Sequence, residues 1–206
     1  MNKFVLASLA ALIPLAPVAA ADFSGPSIEA HAAWDRAQAK VSYLGESAKG
    51  HDTGVAYGVG AGYDFRFEHS VIGVLAAIDD SSVKQCISDA TARACANAGR
   101  DIEVGARFGA LADPKLLLYV KAAYANTRVG VSYRDSAVPA DNFSAHDNRD
   151  GLRAGIGAEY ALTPHTFVKA EYRYTDYKNL HLDIDGDEAR IGLSRHQVLG
   201  AIGYRF

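Results

Sequence analysis

The sequence has little of what marks several large classes of protein. Beyond residue 21 it contains no apolar run near the ~20 residues that a membrane-spanning helix requires, which excludes helical spanning there. It contains no block of lysines and arginines that could neutralise phosphates, and the formal net charge is −3. Both features argue against nucleic acid as a partner.

The first residues have the pattern of an export signal. Lys3 is followed by an uncharged apolar stretch and then by three alanines before Asp22, which offer signal peptidase a site. Two prolines interrupt the apolar stretch, and they favour cleavage over anchoring. We therefore predict a signal peptide over residues 1–21 and a single mature domain over residues 22–206.

The chain has two cysteines, Cys86 and Cys95, and they lie close together in a polar stretch. In an exported protein the compartment permits oxidation, so a local disulfide is the default interpretation. A metal site using both thiolates is the alternative, although no flanking pair of histidines supports it.

A strict period of two runs through residues 54–67. Large apolar side chains such as Tyr57 and Phe65 alternate with small or charged ones such as Gly58 and Asp64. This pattern predicts a strand with two unlike faces. An aromatic face opposite a small or charged face suits lipid outside and a polar lumen inside.

The same alternation recurs in seven further segments: 27–34, 71–78, 102–110, 118–124, 152–160, 168–174 and 198–206. The connections between the segments alternate in length. The stretches 68–70, 113–115 and 163–165 are predicted tight turns, and 38–53, 79–99, 135–149 and 178–190 are predicted long polar loops. We predict an all-β fold, a transmembrane eight-stranded antiparallel up-and-down β-barrel with its long loops outside the cell.

Charged residues on the inner parity of these strands carry nearly balanced signs. They are Glu29, Asp64, Arg66, Asp101, Glu103, Arg107, Lys121, Arg153, Glu159, Lys169, Glu171, Arg173 and Arg205. An eight-stranded barrel is just wide enough for side chains to fill, so these charges must pair to offset their desolvation. We interpret them as a plug of salt bridges, with a narrow or gated ion path as the alternative.

The sequence offers two candidates for a chemical site. Asp183, Asp185 and Asp187 concentrate oxygen ligands in one predicted loop, but their spacing does not fit an EF-hand, and a solvated loop is favoured over a divalent-cation site. Ser194 with His196 offers a nucleophile and a base without an evident acidic partner. We predict no catalytic residue and no cofactor.

The segment "GIGAEYALTPHTFVKAEYRYTDY" and the final "GYRF" resemble the small porin-like surface-antigen family of Gram-negative bacteria, relatives of the opacity proteins and of the outer-membrane protein A barrel. "GARFGALADPKLLLYVKAAYA" also resembles strands of this family. The resemblance implies an eight-stranded barrel in the cell outer membrane, inserted by the outer-membrane assembly machinery, with Tyr204 and Phe206 as the assembly signal. The chain departs from the family at "PSIEAHAAWD", and at Leu75 and Ala77, where acidic lumen residues are usual.

Together these observations favour a non-enzymatic, surface-exposed structural protein of the outer membrane. Its expected partners are outer-membrane lipid and lipopolysaccharide, and a host or surface ligand could bind its outer loops. A small-solute or ion porin is the alternative hypothesis, and a lipid A-modifying barrel enzyme is a remote one.

Overall fold

The computed structural model describes residues 22–43, 46–88, 92–137, 142–184 and 187–206, and the predicted leader therefore lies outside the described residues. The strands are β1 (Gly25–Tyr43), β2 (Glu46–Phe67), β3 (Ser70–Ser81), β4 (Lys84–Ser88), β5 (Ala92–Asp113), β6 (Leu116–Asp135), β7 (Phe143–Ala161), β8 (Thr166–Ile184) and β9 (Asp187–Arg205). Among the described residues there is no helix long and apolar enough to cross a membrane.

Eight of these strands close into a ring. Each pairs antiparallel with its neighbours, β3 pairs with β5, and β1 pairs with both β2 and β9. The short β4 stands outside the ring and pairs with β5 alone. This confirms the predicted eight-stranded up-and-down barrel, and ring closure leaves none of its eight strands with a free edge.

The strands are longer than the alternation predicted. β1 continues to Tyr43 and β2 begins at Glu46, so most of the stretch expected as the first long loop is paired strand. The expectation failed because outward side chains beyond Trp34 are polar, including Arg36 and Lys40, which removes the contrast between faces while backbone pairing continues. Strand also extends into the other three predicted loops.

The two ends of the barrel differ. The tight turns around residues 68–69, 114–115 and 162–165 lie where they were predicted, and we call this the short-turn end. The opposite end, from which the extended strands project, is the long-hairpin end. At the short-turn end Phe23, Val71, Leu117 and Ala161 form a buried apolar cluster that closes the base of the barrel.

Burial is inverted relative to a water-soluble protein. Apolar side chains cover the outer wall, where Ile156 is 60% exposed and Tyr57 is 57% exposed, whereas the charged Arg153 and Glu159 are buried inside. Such an apolar wall with a polar interior is typical of strands that span a bilayer. The period-two alternation therefore places its large residues against lipid, as predicted.

Candidate functional site: the charged lumen

The layer of charges nearest the short-turn end joins two arginines to two carboxylates. Arg107 contacts Asp64 through Nε at 2.9 Å and Nη2 at 2.5 Å, and contacts Glu159 through Nη1 at 2.8 Å. Arg205 Nη2 lies 3.0 Å from Asp64 and 2.9 Å from Glu159. Both carboxylates therefore accept hydrogen bonds from both guanidinium groups, which offsets their desolvation.

Aromatic rings surround these arginines. The Arg107 guanidinium lies 5.2 Å from the ring centre of Tyr119, and the Arg205 guanidinium lies 5.4 Å from that of Phe23 and 5.3 Å from that of Phe167. Cation–π attraction strengthens where water is excluded, so the rings stabilise the charges while filling the base of the lumen.

Above them Lys121 bridges two carboxylates on different strands. Its Nζ lies 2.5 Å from Glu103 and 2.7 Å from Glu171, and the Tyr119 hydroxyl donates to Glu171 at 2.7 Å. All four side chains are buried. A point charge on a flexible stem can satisfy two acceptors that do not share a plane, which suits lysine to this position.

A second group at mid-height is built on β1, β3 and β8. Lys169 pairs with Glu29, and His31 Nε2 contacts Asp79. Arg173 donates to Asp79 at 2.7 Å. Asp79 is therefore held by two donors that approach from different strands.

The uppermost layer centres on Asp101. Arg153 Nη2 lies 2.9 Å and Arg195 Nη1 lies 3.0 Å from Asp101 Oδ2. Arg195 also contacts Asp35, and Arg153 Nη1 reaches down to Glu103 at 2.6 Å. Because Glu103 also binds Lys121, this layer is joined to the mid-height groups. The layer at the short-turn end is linked to them through Tyr119, whose ring lies against Arg107 and whose hydroxyl donates to Glu171, and we call the whole set the network.

Small inner residues make room for these side chains. A Cβ added at Gly73 would stand 2.0 Å from Asp64 Oδ1, and one at Gly58 would stand 2.2 Å from Asp79 Oδ1. No real Cβ contact is that short, so a larger residue at either position would displace a network carboxylate. These glycines are thus part of the charged site.

The structure brings together all the sequence-predicted lumen residues except one. The residues that meet in the network are Glu29, Asp64, Asp101, Glu103, Arg107, Lys121, Arg153, Glu159, Lys169, Glu171, Arg173 and Arg205. The prediction that Arg66 belongs to the lumen is wrong, because its side chain is exposed and donates from Nε to the Glu68 carbonyl at 3.1 Å. It lies at the end of β2, where parity gives the correct side but the lumen has ended.

Sequence reasoning missed three members of the network, Asp35, Asp79 and Arg195. Each lies just beyond the end of a recognised alternating segment, and of the three only Asp79 falls in a predicted loop. The signal that could have found them is the parity itself, continued one to three residues beyond each segment.

The charges of the described network nearly cancel. Its carboxylates are Glu29, Asp35, Asp64, Asp79, Asp101, Glu103, Glu159 and Glu171, and its lysines and arginines are Arg107, Lys121, Arg153, Lys169, Arg173, Arg195 and Arg205. One carboxylate is left over, and His31 contacts Asp79 and stands 3.6 Å from Glu29. His31 is thus a further basic side chain that faces these carboxylates.

The two remaining predicted sites are the aspartate cluster and the disulfide. Asp185 lies outside the described residues, as do the side chains of Asp183 and Asp187, so the weak metal candidate is not described. Within the described ranges no group of three or more His, Cys, Asp or Glu side chains could hold a metal. The predicted disulfide is confirmed, since Cys86 on β4 and Cys95 on β5 are directly opposite and bonded.

Tyr204 and Phe206 lie on the outer wall at the short-turn end. Their rings meet edge to face with 5.1 Å between centres, and the Phe206 amide donates to the Pro26 carbonyl at 3.0 Å. Their role as an assembly signal stays a prediction.

A closed antiparallel ring with an apolar wall and a buried polar lumen defines the class of outer-membrane β-barrels. Residues 4–206 match the family model described as the outer membrane protein beta-barrel domain. The chain belongs to this family, and its location is the cell outer membrane.

Known proteins are similar to this chain in sequence or in fold. A 31 kDa outer-membrane immunogenic protein of Brucella melitensis biotype 1 is 29% identical over 161 residues, 74% of this chain and 67% of that protein. A 25 kDa outer-membrane immunogenic protein of Brucella canis is 40% identical over 58 residues, 28% of this chain and 27% of that protein. The crystal structure of Neisserial surface protein A matches with a TM-score of 0.50 and 19% identity, covering 89% of this chain and 98% of that chain, which shows the fold.

Proposed function

We propose that this protein is a non-enzymatic structural and surface-display protein, whose lumen is closed and whose outer hairpins carry its interactions. The observation that carries the proposal is the stack of ion-paired layers that fills the barrel interior. A pore needs water-filled space along its axis, and here that space holds paired side chains.

The voids that border the network support a closed lumen. The void among Glu29, His31, Lys121 and Arg173 measures about 30 Å³, which is room for about two water molecules. Toward the long-hairpin end a cavity of about 160 Å³ ends on Arg195, which is itself bonded to two carboxylates. Voids of this size support a lumen without a continuous water-filled path.

The candidate nucleophile and base are poorly arranged for catalysis, which supports a non-enzymatic role. His196 Nδ1 lies 2.7 Å from the Tyr172 hydroxyl, and its ring packs 4.9 Å from that of Tyr174. Among the described residues no carboxylate contacts this imidazole to orient it as a general base toward Ser194.

The names of the relatives support outward display. The Brucella proteins are called outer-membrane immunogenic proteins, which fits chains whose hairpins face the exterior. In this chain β1 and β2 project polar residues well beyond the apolar wall, as do β5, β6 and β7.

Solute efflux and lipid analysis together test the proposal. Proteoliposomes containing the refolded protein should retain a small neutral sugar as well as protein-free liposomes do, while a general porin releases it. Cells overproducing the protein should show an unchanged lipid A mass spectrum. Sugar release above the protein-free rate would support the porin alternative, and altered lipid A would support the enzyme.

A further inference from the structure

A basic surface lies on the outside of β9, β1 and β2, directly beyond the apolar wall toward the long-hairpin end. Outward residues form three cross-strand rows: His196–Arg36–Thr53, Ser194–Gln38–His51 and Gly192–Lys40–Lys49. None of the three rows contains a carboxylate. The next row toward the short-turn end is Val198–Trp34–Val55, which belongs to the lipid-facing wall.

The cations in these rows, Arg36, Lys40 and Lys49, lack ionic partners among the described residues. Lys40 and Lys49 are exposed and directly opposite each other, an arrangement of like charges that destabilises a strand pair. Arg36 Nε is buried and has no hydrogen-bond acceptor. In the part of the chain that the structure describes, none of these three side chains forms an ion pair.

The wall is concave here. Lys40 and Lys49 border a hollow of about 300 Å³ together with Tyr174, Ser194 and Asp176. Asp176 is the one carboxylate among the described residues that line it. An anion bound between the two lysines would relieve their repulsion and leave Asp176 at the edge.

We propose that this basic surface binds the phosphate groups of a phosphorylated glycolipid of the outer leaflet, the lipid A part of lipopolysaccharide. A membrane lipid is the chosen ligand because the basic surface adjoins the lipid-facing wall. Acyl chains that lie against Trp34 and Val198 would bring a headgroup to the height of Arg36 and Lys40. Lysine and arginine recognise phosphate by charge-assisted hydrogen bonds. The proposal rests on the outer-membrane location and is independent of whether the lumen conducts.

Trp34 supplies the readout, since it is the single tryptophan of the chain and adjoins the surface. Its fluorescence is followed while bisphosphorylated lipid A is titrated into the detergent-solubilised protein with EDTA present. Removing two cations should weaken binding about 30-fold in K40Q/K49Q. The matched control R100Q/R128Q removes two exposed cations from β5 and β6, and its affinity should stay within about twofold.

D176N should bind more tightly than the natural protein, a gain that misfolding cannot produce. Equal loss in both double variants, unchanged affinity in K40Q/K49Q, or unchanged affinity for D176N would overturn the proposal. Equal affinity for fully dephosphorylated lipid A would also overturn it, because acyl chains alone would then account for binding.

Discussion

Arg107 of β5 and Glu159 of β7 meet across the lumen, with 2.8 Å between Nη1 and Oε2. Their strands are not neighbours in the ring, because β6 lies between them. The pair therefore adds a tie across the interior to the hydrogen bonds that hold adjacent strands. Since Glu159 is fully buried and also binds Arg205, removing it would leave two guanidinium groups undercompensated.

The first prediction concerns this carboxylate. E159A should lower the free energy of unfolding by about 3–5 kcal/mol, because breaking a buried pair leaves an uncompensated charge. Urea unfolding in detergent micelles, followed by the gel shift between folded and boiled protein, measures the change. The matched control is D147A, which removes the exposed partner of Arg149 and should cost less than about 1 kcal/mol. Equal effects would mean that the lumen is solvated.

The second prediction concerns space. G73A should lower the free energy of unfolding by about 1–3 kcal/mol, since its Cβ would displace Asp64. G200A is the matched control within a strand, because a Cβ there meets nothing within 4 Å. It should be neutral or slightly stabilising in the same urea assay. A G73A protein as stable as G200A would show that Asp64 has room to move.

The third prediction concerns coupling between Lys169 and Glu29, which are 140 residues apart in sequence. A double-mutant cycle with K169M and E29L should give a coupling energy of about 1–3 kcal/mol. The double variant should be more stable than the sum of the single changes predicts, because it leaves neither charge unpaired. Additive single effects would contradict direct pairing.

The fourth prediction concerns the disulfide. C86S/C95S should keep the heat-dependent gel shift, since β4 pairs with β5 outside the ring. Opening so short a loop costs at most about 3 kcal/mol in the chain-entropy model. Limited proteolysis with mass spectrometry should find new cleavage sites near β4 and none in β6 to β9. Loss of the gel shift would show that the bond is needed for ring closure.

The fold was largely predictable from sequence because the side chains of each strand alternate between two different environments. Lipid and lumen alternate with a period of two, so residues such as Tyr57 and Asp64 reveal their faces locally. Where both faces become polar, as beyond Trp34, the contrast between the faces ends although the strands continue to pair. The ends of the strands were therefore predicted too early.

The lumen could be predicted as a set of charges but not as a set of contacts. Parity places Glu159 and Arg107 inside, yet their pairing depends on the stagger between strands, which no local pattern encodes. Arg66 illustrates the limit in the other direction. Its position in the alternation is inward, but it lies at the short-turn end of β2, where its side chain is exposed to solvent.

Single-channel recording in a planar bilayer tests the central claim most directly. With the ion-pair network in place, the refolded protein should give no discrete current steps at applied voltages at which a general porin conducts. K121Q and E159Q serve as diagnostic variants, because each changes the charge inside the lumen. Reproducible steps in the natural protein, with a conductance that changes in either variant, would contradict a closed lumen.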